Sequence, residues 1–252
     1  MSWTQESLVS DLRSLGIRQG DSVLTHSSFK SLGQGGSPSD LIAAMLDAVG
    51  PNGTALFPAH TWVDASPETP PTFDVCHTPS AKVGIVPETA RLWPGAIRSV
   101  HPTHSVTAIG ADAQWITEGH YDDGICGIGS PYDRLCSPRS GTGLILLLGV
   151  DQERNTSLHM IEEVVDVPGA LIGPGICRVT GYDGIERLRE GRFHSWRPRR
   201  FMVLDEDLDR LGIQTKGVVA SAPCRLVQAG RLREFVSERL RENPDYLWDT
   251  SS

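Results

Sequence analysis

The sequence predicts an α/β fold: a single domain spanning 1–252, with a central mixed sheet flanked by helices and an antiparallel C-terminal part. The most apolar run, 143–150, is bounded by glycine and predicts a strand buried on both faces. A polar loop and a helical pattern at 157–165 follow this strand. Beyond Pro168, the turn Asp183-Gly184 predicts a hairpin. We therefore expect the C-terminal portion to complete the sheet.

Capping residues and turns locate the remaining elements. Thr4 is a candidate N-cap, although Ser7 in place of Glu or Gln predicts that the full capping box is absent. Ser37 as N-cap and Pro38 in the first turn predict a second helix. Helices are expected over 4–15, 38–49, 83–93, 111–117, 157–165, 205–211 and 229–242, with a helical turn at 130–135. Strands are expected over 22–28, 54–59, part of 98–110, 143–150, 177–182 and 217–226, with a long loop at 60–80.

The composition is that of an ordinary globular protein with an acidic balance. The 31 acidic and 23 basic residues give a net charge of −8, which argues against a nucleic-acid partner held through phosphates. We expect no membrane helix, because no run of about 18 apolar residues occurs. We expect no signal peptide, because the N-terminus has no basic region followed by an apolar stretch. Five irregularly spaced cysteines predict neither disulfides nor a structural zinc site, and so favour the cytoplasm.

A histidine and a glutamate follow the predicted central strand. His159 and Glu162 lie at i and i+3, so a helix places them on one face with Cβ atoms roughly 5–6 Å apart. A carboxylate beside an imidazole orients the ring and favours its protonated form, which suits a general base. Most such pairs on helices are solvated surface pairs. The position at the carboxyl end of a buried strand, where α/β proteins bind ligands, favours a catalytic role.

The motif Asn155-Thr156-Ser157-Leu158-His159-x-x-Glu162 resembles the signature of the aminoglycoside 3-N-acetyltransferase family. Further similar motifs occur in the family's order at 25–33, 49–54, 94–102, 129–131 and 146–149. The resemblance implies a fold unrelated to the histone-acetyltransferase-like superfamily. It also implies acetyl-coenzyme A as co-substrate and acetylation of the 3-amine of 2-deoxystreptamine antibiotics, which confers resistance.

Amide formation from a thioester needs a neutral amine and a donor at the carbonyl oxygen. Histidine has a reference pKa of about 6.5, which suits His159 to accept the proton of the amine. Glu162 would orient His159 and stabilise its imidazolium. The hydroxyl of Thr156 would donate to the thioester carbonyl, with a plain N-cap as its equally weighted alternative.

The coenzyme is expected to bind to two polar segments. The first, 26–33, follows the first strand and offers hydroxyl and backbone donors for phosphates and the pantetheine arm. Its alternative is an ordinary serine-rich loop. The second, 98–105, could bind the coenzyme in the same way. The expected coenzyme-binding residues are His26, Ser27, Ser28, Ser31, Gly33, Arg98, His101, His104 and Ser105. A His-x-x-His pair such as His101 and His104 also suggests a metal site. Because the sequence shows no obvious third ligand, we expect no metal.

The acceptor is expected to be a polyamine attracted by acidic side chains. The expected acceptor-binding residues are Asp64, Asp74, Glu88 and Glu163.

The chain is shorter at its C-terminal end than the resistance enzymes, and its run 187–200 is strongly basic. Two alternatives therefore remain open: an acyltransferase for another amine, and a hydrolase or metal-dependent enzyme built on His101, His104 and His159. No nucleic-acid or membrane partner is expected, and the sequence leaves the oligomeric state open.

Overall fold

The computed structural model describes residues 2–61, 65–80, 83–121 and 125–249, and within them it contains ten strands and eight α-helices. The strands are β1 (Ser22–Ser27), β2 (Thr54–Pro58), β3 (Thr72–Asp74), β4 (Ile97–Arg98), β5 (Val106–Gly110), β6 (Gly143–Leu148), β7 (Leu171–Thr180), β8 (Glu186–His194), β9 (Gln214–Val219) and β10 (Ala222–Gln228). The helices are α1 (Gln5–Leu15), α2 (Pro38–Val49), α3 (Ile85–Arg91), α4 (Ala113–Thr117), α5 (Pro131–Leu135), α6 (Ser157–Val164), α7 (Asp205–Arg210) and α8 (Ala229–Glu242).

Seven strands form the main sheet in the order β4-β5-β2-β1-β6-β10-β9. The central strand β1 pairs in parallel with both β2 and β6, whereas the outer pairs are antiparallel. Every residue of β6 is buried, as expected for a strand covered by helices on both faces. Helices α1 and α2 pack on one face, and α4, α5, α6 and α8 pack on the other. The predicted α/β fold with a mixed sheet is therefore confirmed.

The C-terminal part differs from the prediction in two ways. The predicted hairpin forms as β7 and β8, but it joins β3 in a separate three-stranded sheet. The single strand predicted at 217–226 is wrong, because β9 and β10 form a second hairpin there. Ala220 turns the chain with φ of 52°, and its N–H donates to Oδ2 of Asp11 at 2.8 Å. A distant carboxylate thus stabilises a turn that contains neither glycine nor asparagine.

Helix α1 also begins differently from the prediction. Ser7 Oγ accepts the N–H of Thr4 at 2.9 Å, and Thr4 Oγ1 accepts the N–H of Ser7 at 3.3 Å. The serine hydroxyl performs the reciprocal bond usually made by Glu or Gln, so a full capping box is present and the prediction of its absence was wrong. None of the described helices combines the length and apolar character needed to cross a membrane.

Candidate active site

A cavity of about 650 Å³ opens where the parallel strands β1 and β6 end. The carboxyl ends of neighbouring parallel strands lie at one edge of a sheet, which is the usual ligand-binding edge of an α/β fold. After β1 the chain continues into 28–32, and after β6 it continues into 149–156 before α6 begins. Both connections contribute to the cavity wall, and so do the end of β8 and the segment that follows it, through residues 193–197 and 199.

The predicted pair of His159 and Glu162 is formed. Nδ1 of His159 lies 2.8 Å from Oε2 of Glu162, so the ring donates its Nδ1 hydrogen to the carboxylate. The His159 side chain is 23% exposed and lines the cavity, whereas the Glu162 side chain is fully buried behind it. This pair is therefore a buried carboxylate that orients a cavity-facing imidazole, and not a solvated surface pair.

The second oxygen of Glu162 is also occupied. Oε1 accepts the indole N–H of Trp248 at 2.6 Å and a hydrogen bond from Nε of Arg199 at 3.3 Å. Burial alone would raise the pKa of Glu162, but the hydrogen bond from His159 and the charge of Arg199 outweigh it and lower the pKa below its usual value. The carboxylate is therefore held in its ionised form at neutral pH.

Thr156 begins α6 without capping it. Its backbone is already helical and its hydroxyl makes no capping bond, whereas Oδ1 of Asn155 accepts the N–H of Ser157 at 3.2 Å. Asn155 in turn donates through Nδ2 to Gln152 at 2.9 Å. Asn155 thus performs the capping role, and the plain N-cap alternative for Thr156 is not formed. Thr156 lies in the cavity wall beside His159.

A row of imidazoles extends from His159 into the interior. The His159 ring stacks on His194 with centroids 4.6 Å apart, His194 packs 4.8 Å from His104, and His104 lies 4.7 Å from His60. Burial, followed by the proximity of the other imidazoles, holds the pKa values of His60, His104 and His194 well below the usual value. These three rings are neutral at pH 7. The roles of His60 and His194 were not predicted, since no local motif connects them to His159.

Four of the nine residues predicted to bind the coenzyme line the cavity: His26, Ser27, Ser28 and His104. Burial lowers the pKa of His26 to about 3, so its ring is neutral. Ser31 stands behind this wall and donates its hydroxyl to the Ser28 carbonyl at 2.6 Å. Gly33 ends the following 3₁₀ turn with φ of 78° and lies outside the cavity wall.

Arg98, His101 and Ser105, which were also predicted to bind the coenzyme, do not line the cavity. The Arg98 guanidinium donates to the carbonyls of Ala59 at 2.7 Å and Thr78 at 2.5 Å, and Ser105 Oγ also donates to Ala59 at 2.6 Å. Nδ1 of His101 accepts the backbone N–H of His104 at 3.0 Å. These side chains hold loops together, and their polar groups are already used.

The predicted acceptor-binding acids are likewise engaged elsewhere, and none of the described ones lines the cavity. Asp74 accepts backbone N–H groups in its own turn, and Glu88 binds Ser80 and Arg91. Glu163 accepts the N–H groups of Ile125 at 3.0 Å and Cys126 at 2.8 Å. Asp64 lies outside the described residues.

Other residues of the cavity wall were not predicted. Three arginines, Arg154, Arg197 and Arg199, line it together with the aromatic residues Trp196 and Phe201. Most of them come from the basic run 187–200, so the charge pattern contained a signal for this wall. The sequence alone did not show that the end of β8 and the residues after it lie in the same cavity wall as His159.

Comparison with known proteins gives the family. The family model described as aminoglycoside 3-N-acetyltransferase matches residues 24–241. Aminoglycoside N(3)-acetyltransferase VII of Streptomyces paromomycinus is 31% identical, covering 92% of this chain and 89% of the relative. The enzyme VIII of Streptomyces fradiae is also 31% identical, covering 92% and 90%. The solved structure of AAC-IIIb with CoASH has a TM-score of 0.85 at 28% identity and covers 100% of both chains. The predicted family and enzyme class are thus confirmed, and the chain belongs to the aminoglycoside 3-N-acetyltransferase family.

Proposed function

We propose that this protein transfers the acetyl group of acetyl-coenzyme A to the 3-amino group of a 2-deoxystreptamine aminoglycoside, conferring resistance. The observation that carries the proposal is the 2.8 Å bond between His159 and Glu162 at the wall of the cavity, in a chain of this family. AAC-IIIb has been solved with CoASH and AAC-VIa with sisomicin. These relatives support the coenzyme and the class of acceptor.

His159 acts as the general base. The neutral amine nitrogen attacks the thioester carbon and forms the new C–N bond. Because Nδ1 of His159 carries the hydrogen donated to Glu162, the lone pair on Nε2 accepts the proton that the nitrogen loses. The C–S bond then breaks, and the coenzyme A thiolate takes this proton. The products are the amide and the thiol, and His159 returns to its neutral form.

Glu162 stabilises the imidazolium that forms during this step. Its carboxylate is buried and bound on both oxygens, so it is already oriented towards His159 before the reaction begins. An oriented charge in a site sheltered from water stabilises a developing charge without reorganisation. The lowered pKa of Glu162 keeps this negative charge present at neutral pH.

The Thr156 hydroxyl donates to the thioester carbonyl oxygen as negative charge develops there. This role is supported by its place in the cavity wall three residues before His159 and by the absence of a capping bond from its side chain. A donor already in position for an oxyanion contributes about 10²–10³ in kcat.

Coenzyme A is bound along the wall that carries Ser27, Ser28 and Arg154. Ser27 ends β1 and Ser28 follows it, and both supply hydroxyl groups, whereas the exposed Arg154 supplies a positive charge for a phosphate. Ser31 contributes indirectly, because its hydroxyl bonds to the Ser28 carbonyl and fixes the conformation of this turn.

A relative acting on a less cationic amine is the second candidate function. It is favoured by the three arginines of the cavity wall, Arg154, Arg197 and Arg199, because Glu153 is the one acidic side chain among the described residues of the wall. The carboxylates that pair with Arg197 and Arg199, those of Asp245 and Glu162, do not line the cavity. Glu153 also accepts the N–H of Met202 at 2.9 Å. Like charges would oppose a polycationic acceptor on this side of the cavity.

The two candidates are separated by a panel of acceptors. The purified protein is incubated with acetyl-coenzyme A and either gentamicin, sisomicin or the monoamine glucosamine, and thiol release is measured. NMR of each product then locates the acetyl group. We expect turnover with the aminoglycosides and acetylation at N3. Turnover of glucosamine alone would favour the second candidate, and absence of turnover with every acceptor would contradict both.

A further inference from the structure

Three potential metal ligands converge beside the catalytic pair. One ligand atom from each of His104, Cys126 and His194 lies within 4.8 Å of the others. His104 and His194 line the cavity, and Cys126 is fully buried behind them. We infer that these three side chains form a binding site for a zinc ion in the wall of the active-site cavity. The sequence did not predict this set, since the three residues come from separate parts of the chain.

The environment of His194 is the first argument for a ligand here. The ring is 10% exposed, and neither of its nitrogens has a hydrogen-bond partner among the described residues. Buried polar side-chain atoms are hydrogen-bonded in the large majority of cases, and an exception calls for an unassigned water or ion. A metal ion coordinated by one of these nitrogens would satisfy the ring.

The ligand types are the second argument. Two imidazoles and one thiolate are a common zinc-binding combination, and three protein ligands leave a fourth position for water. The His104 ring already contacts Oγ1 of Thr103 through Nδ1 at 2.9 Å. Ligating histidines usually have such a contact at one nitrogen, because it fixes the orientation of the ring for the metal. Zinc bonds of about 2.0–2.3 Å in a tetrahedron place the ligand atoms about 3.3–3.8 Å apart, so binding would draw this set closer than its present 4.8 Å.

The surrounding charge is the third argument. Oε2 of Glu163 lies 3.9 Å from Nε2 of His194 and accepts the N–H of Cys126 at 2.8 Å. This carboxylate places negative charge beside three uncharged ligands, which favours a dication. Glu163 thus has a structural reason to be buried beside this cluster.

Cysteine binds zinc as the thiolate, so the Cys126 thiol must lose its proton when the ion binds.

Zinc at this position would inhibit acetyl transfer. The rings of His159 and His194 stack with centroids 4.6 Å apart, so an ion on His194 places two positive charges beside the proposed base. The positive charge of the ion disfavours the imidazolium form that His159 must reach during the reaction. The inference thus adds reversible inhibition to the proposed function, although the binding itself does not depend on that function.

The site is tested by metal binding to the chelator-treated, full-length protein. Zinc is titrated calorimetrically, and cobalt(II) is used as a spectroscopic substitute whose thiolate charge-transfer absorption reports a Cys ligand. We expect one equivalent to bind. Cys126→Ser should abolish the charge-transfer absorption and weaken zinc binding by at least about tenfold. Mutation of a residue that only supports a metal ligand already weakens binding by about 10–100-fold, so loss of a ligand should cost no less. Cys177→Ser, which changes another fully buried thiol, should leave both signals unchanged.

His194→Gln provides an independent variant if Cys126→Ser does not fold, and it should weaken zinc binding to a similar extent. Failure of the wild-type protein to bind one equivalent would overturn the inference. The inference would also be overturned if cobalt absorption and zinc affinity were the same in Cys126→Ser, His194→Gln and the wild type. These readouts do not require acetyltransferase activity, so they remain decisive even if the proposed acceptor is wrong.

Discussion

The indole Nε1 of Trp248 lies 2.6 Å from Oε1 of Glu162, the oxygen opposite the one that binds His159. Trp248 is almost fully buried, and the Arg197 guanidinium covers its ring at 3.5 Å from the centroid. The segment after α8 thus supplies a hydrogen bond to the carboxylate that orients the proposed base. This contact makes Trp248 a positioning residue, because it acts on the reaction through Glu162.

Trp248→Phe tests this positioning role. The change removes the N–H donor and retains an aromatic ring. A hydrogen bond to a charged group contributes about 1.5–3 kcal/mol, so we expect the free energy of unfolding to fall by about that amount. The kcat should fall with little change in KM, and the pH profile of kcat should shift because Glu162 is held less firmly. Stability is measured by denaturant unfolding, and activity by thiol release.

Trp3→Phe is the matched control for this change. Trp3 is also buried, but its Nε1 has no hydrogen-bond partner within the described part of the chain. Removing the indole N–H of Trp3 should therefore leave the pH profile of kcat unchanged. If the two variants gave the same kcat and the same profile, Trp248 would be a packing residue only.

Glu162→Gln should change the pH dependence of stability. The pKa of Glu162 is lowered in the folded state, so its ionisation stabilises the protein fully above the unfolded value of 4.5. This contribution is lost as the pH falls through the lower folded pKa. At neutral pH, the variant should be less stable by about 3–5 kcal/mol, because the buried Arg199 loses its counter-ion.

Urea unfolding of both proteins between pH 7 and pH 3 measures this difference. It should stay constant down to about pH 4.5 and shrink below that value. A difference independent of pH over the whole range would show that the ionised form of Glu162 is not the form that stabilises the fold.

Thr156→Ala should lower kcat without affecting stability. Loss of one oxyanion donor costs about 10²–10³ in kcat, and KM should change little because the interaction strengthens only as charge develops. The melting temperature should be unaffected, since the hydroxyl makes no capping bond. Thr156→Ser retains the hydroxyl and should restore most of the rate. An unchanged kcat in Thr156→Ala would assign the donor role to backbone N–H groups.

Arg154→Gln should raise the KM for acetyl-coenzyme A. Arg154 is exposed in the cavity wall, and exposed charge pairs contribute about 0.2–1 kcal/mol, which corresponds to an increase of up to about fivefold. The increase should disappear near 1 M salt, where the Debye length falls to about 3 Å. Arg241→Gln, an exposed residue of α8 outside the cavity wall, is the control. A selective change in the KM of the acceptor would place Arg154 on the acceptor side.

Local signals in the sequence predicted the local parts of the structure. Helix α2 has the predicted bounds, because Ser37 caps it, Pro38 starts it and Gly50 ends it. His159 and Glu162 were predicted to meet because a helix fixes the geometry of positions i and i+3. In these two cases neighbours in sequence determine the contact, whereas the equally local capping box of α1 was predicted wrongly because serine replaces the usual Glu or Gln.

Contacts between distant residues could not be predicted in this way. Trp248 and Glu162 are 86 positions apart, and no local pattern connects them. Arg98 was expected to bind phosphate because polar residues surround it in sequence. The fold instead buries its guanidinium among backbone carbonyls, where it stabilises two loops. Which arginine faces the cavity is decided by packing of the whole chain, as Arg154 and Arg199 show.

The most direct test of the account is the kcat of His159→Ala with acetyl-coenzyme A and an aminoglycoside. Removal of a general base should lower kcat by about 10²–10⁴-fold. The fold should persist, because the His159 side chain is partly exposed. His77→Ala, which changes an exposed histidine that also pairs with an acid, should leave kcat unchanged. A His159→Ala variant that folds and retains near-normal kcat would contradict the assignment of His159 as the base.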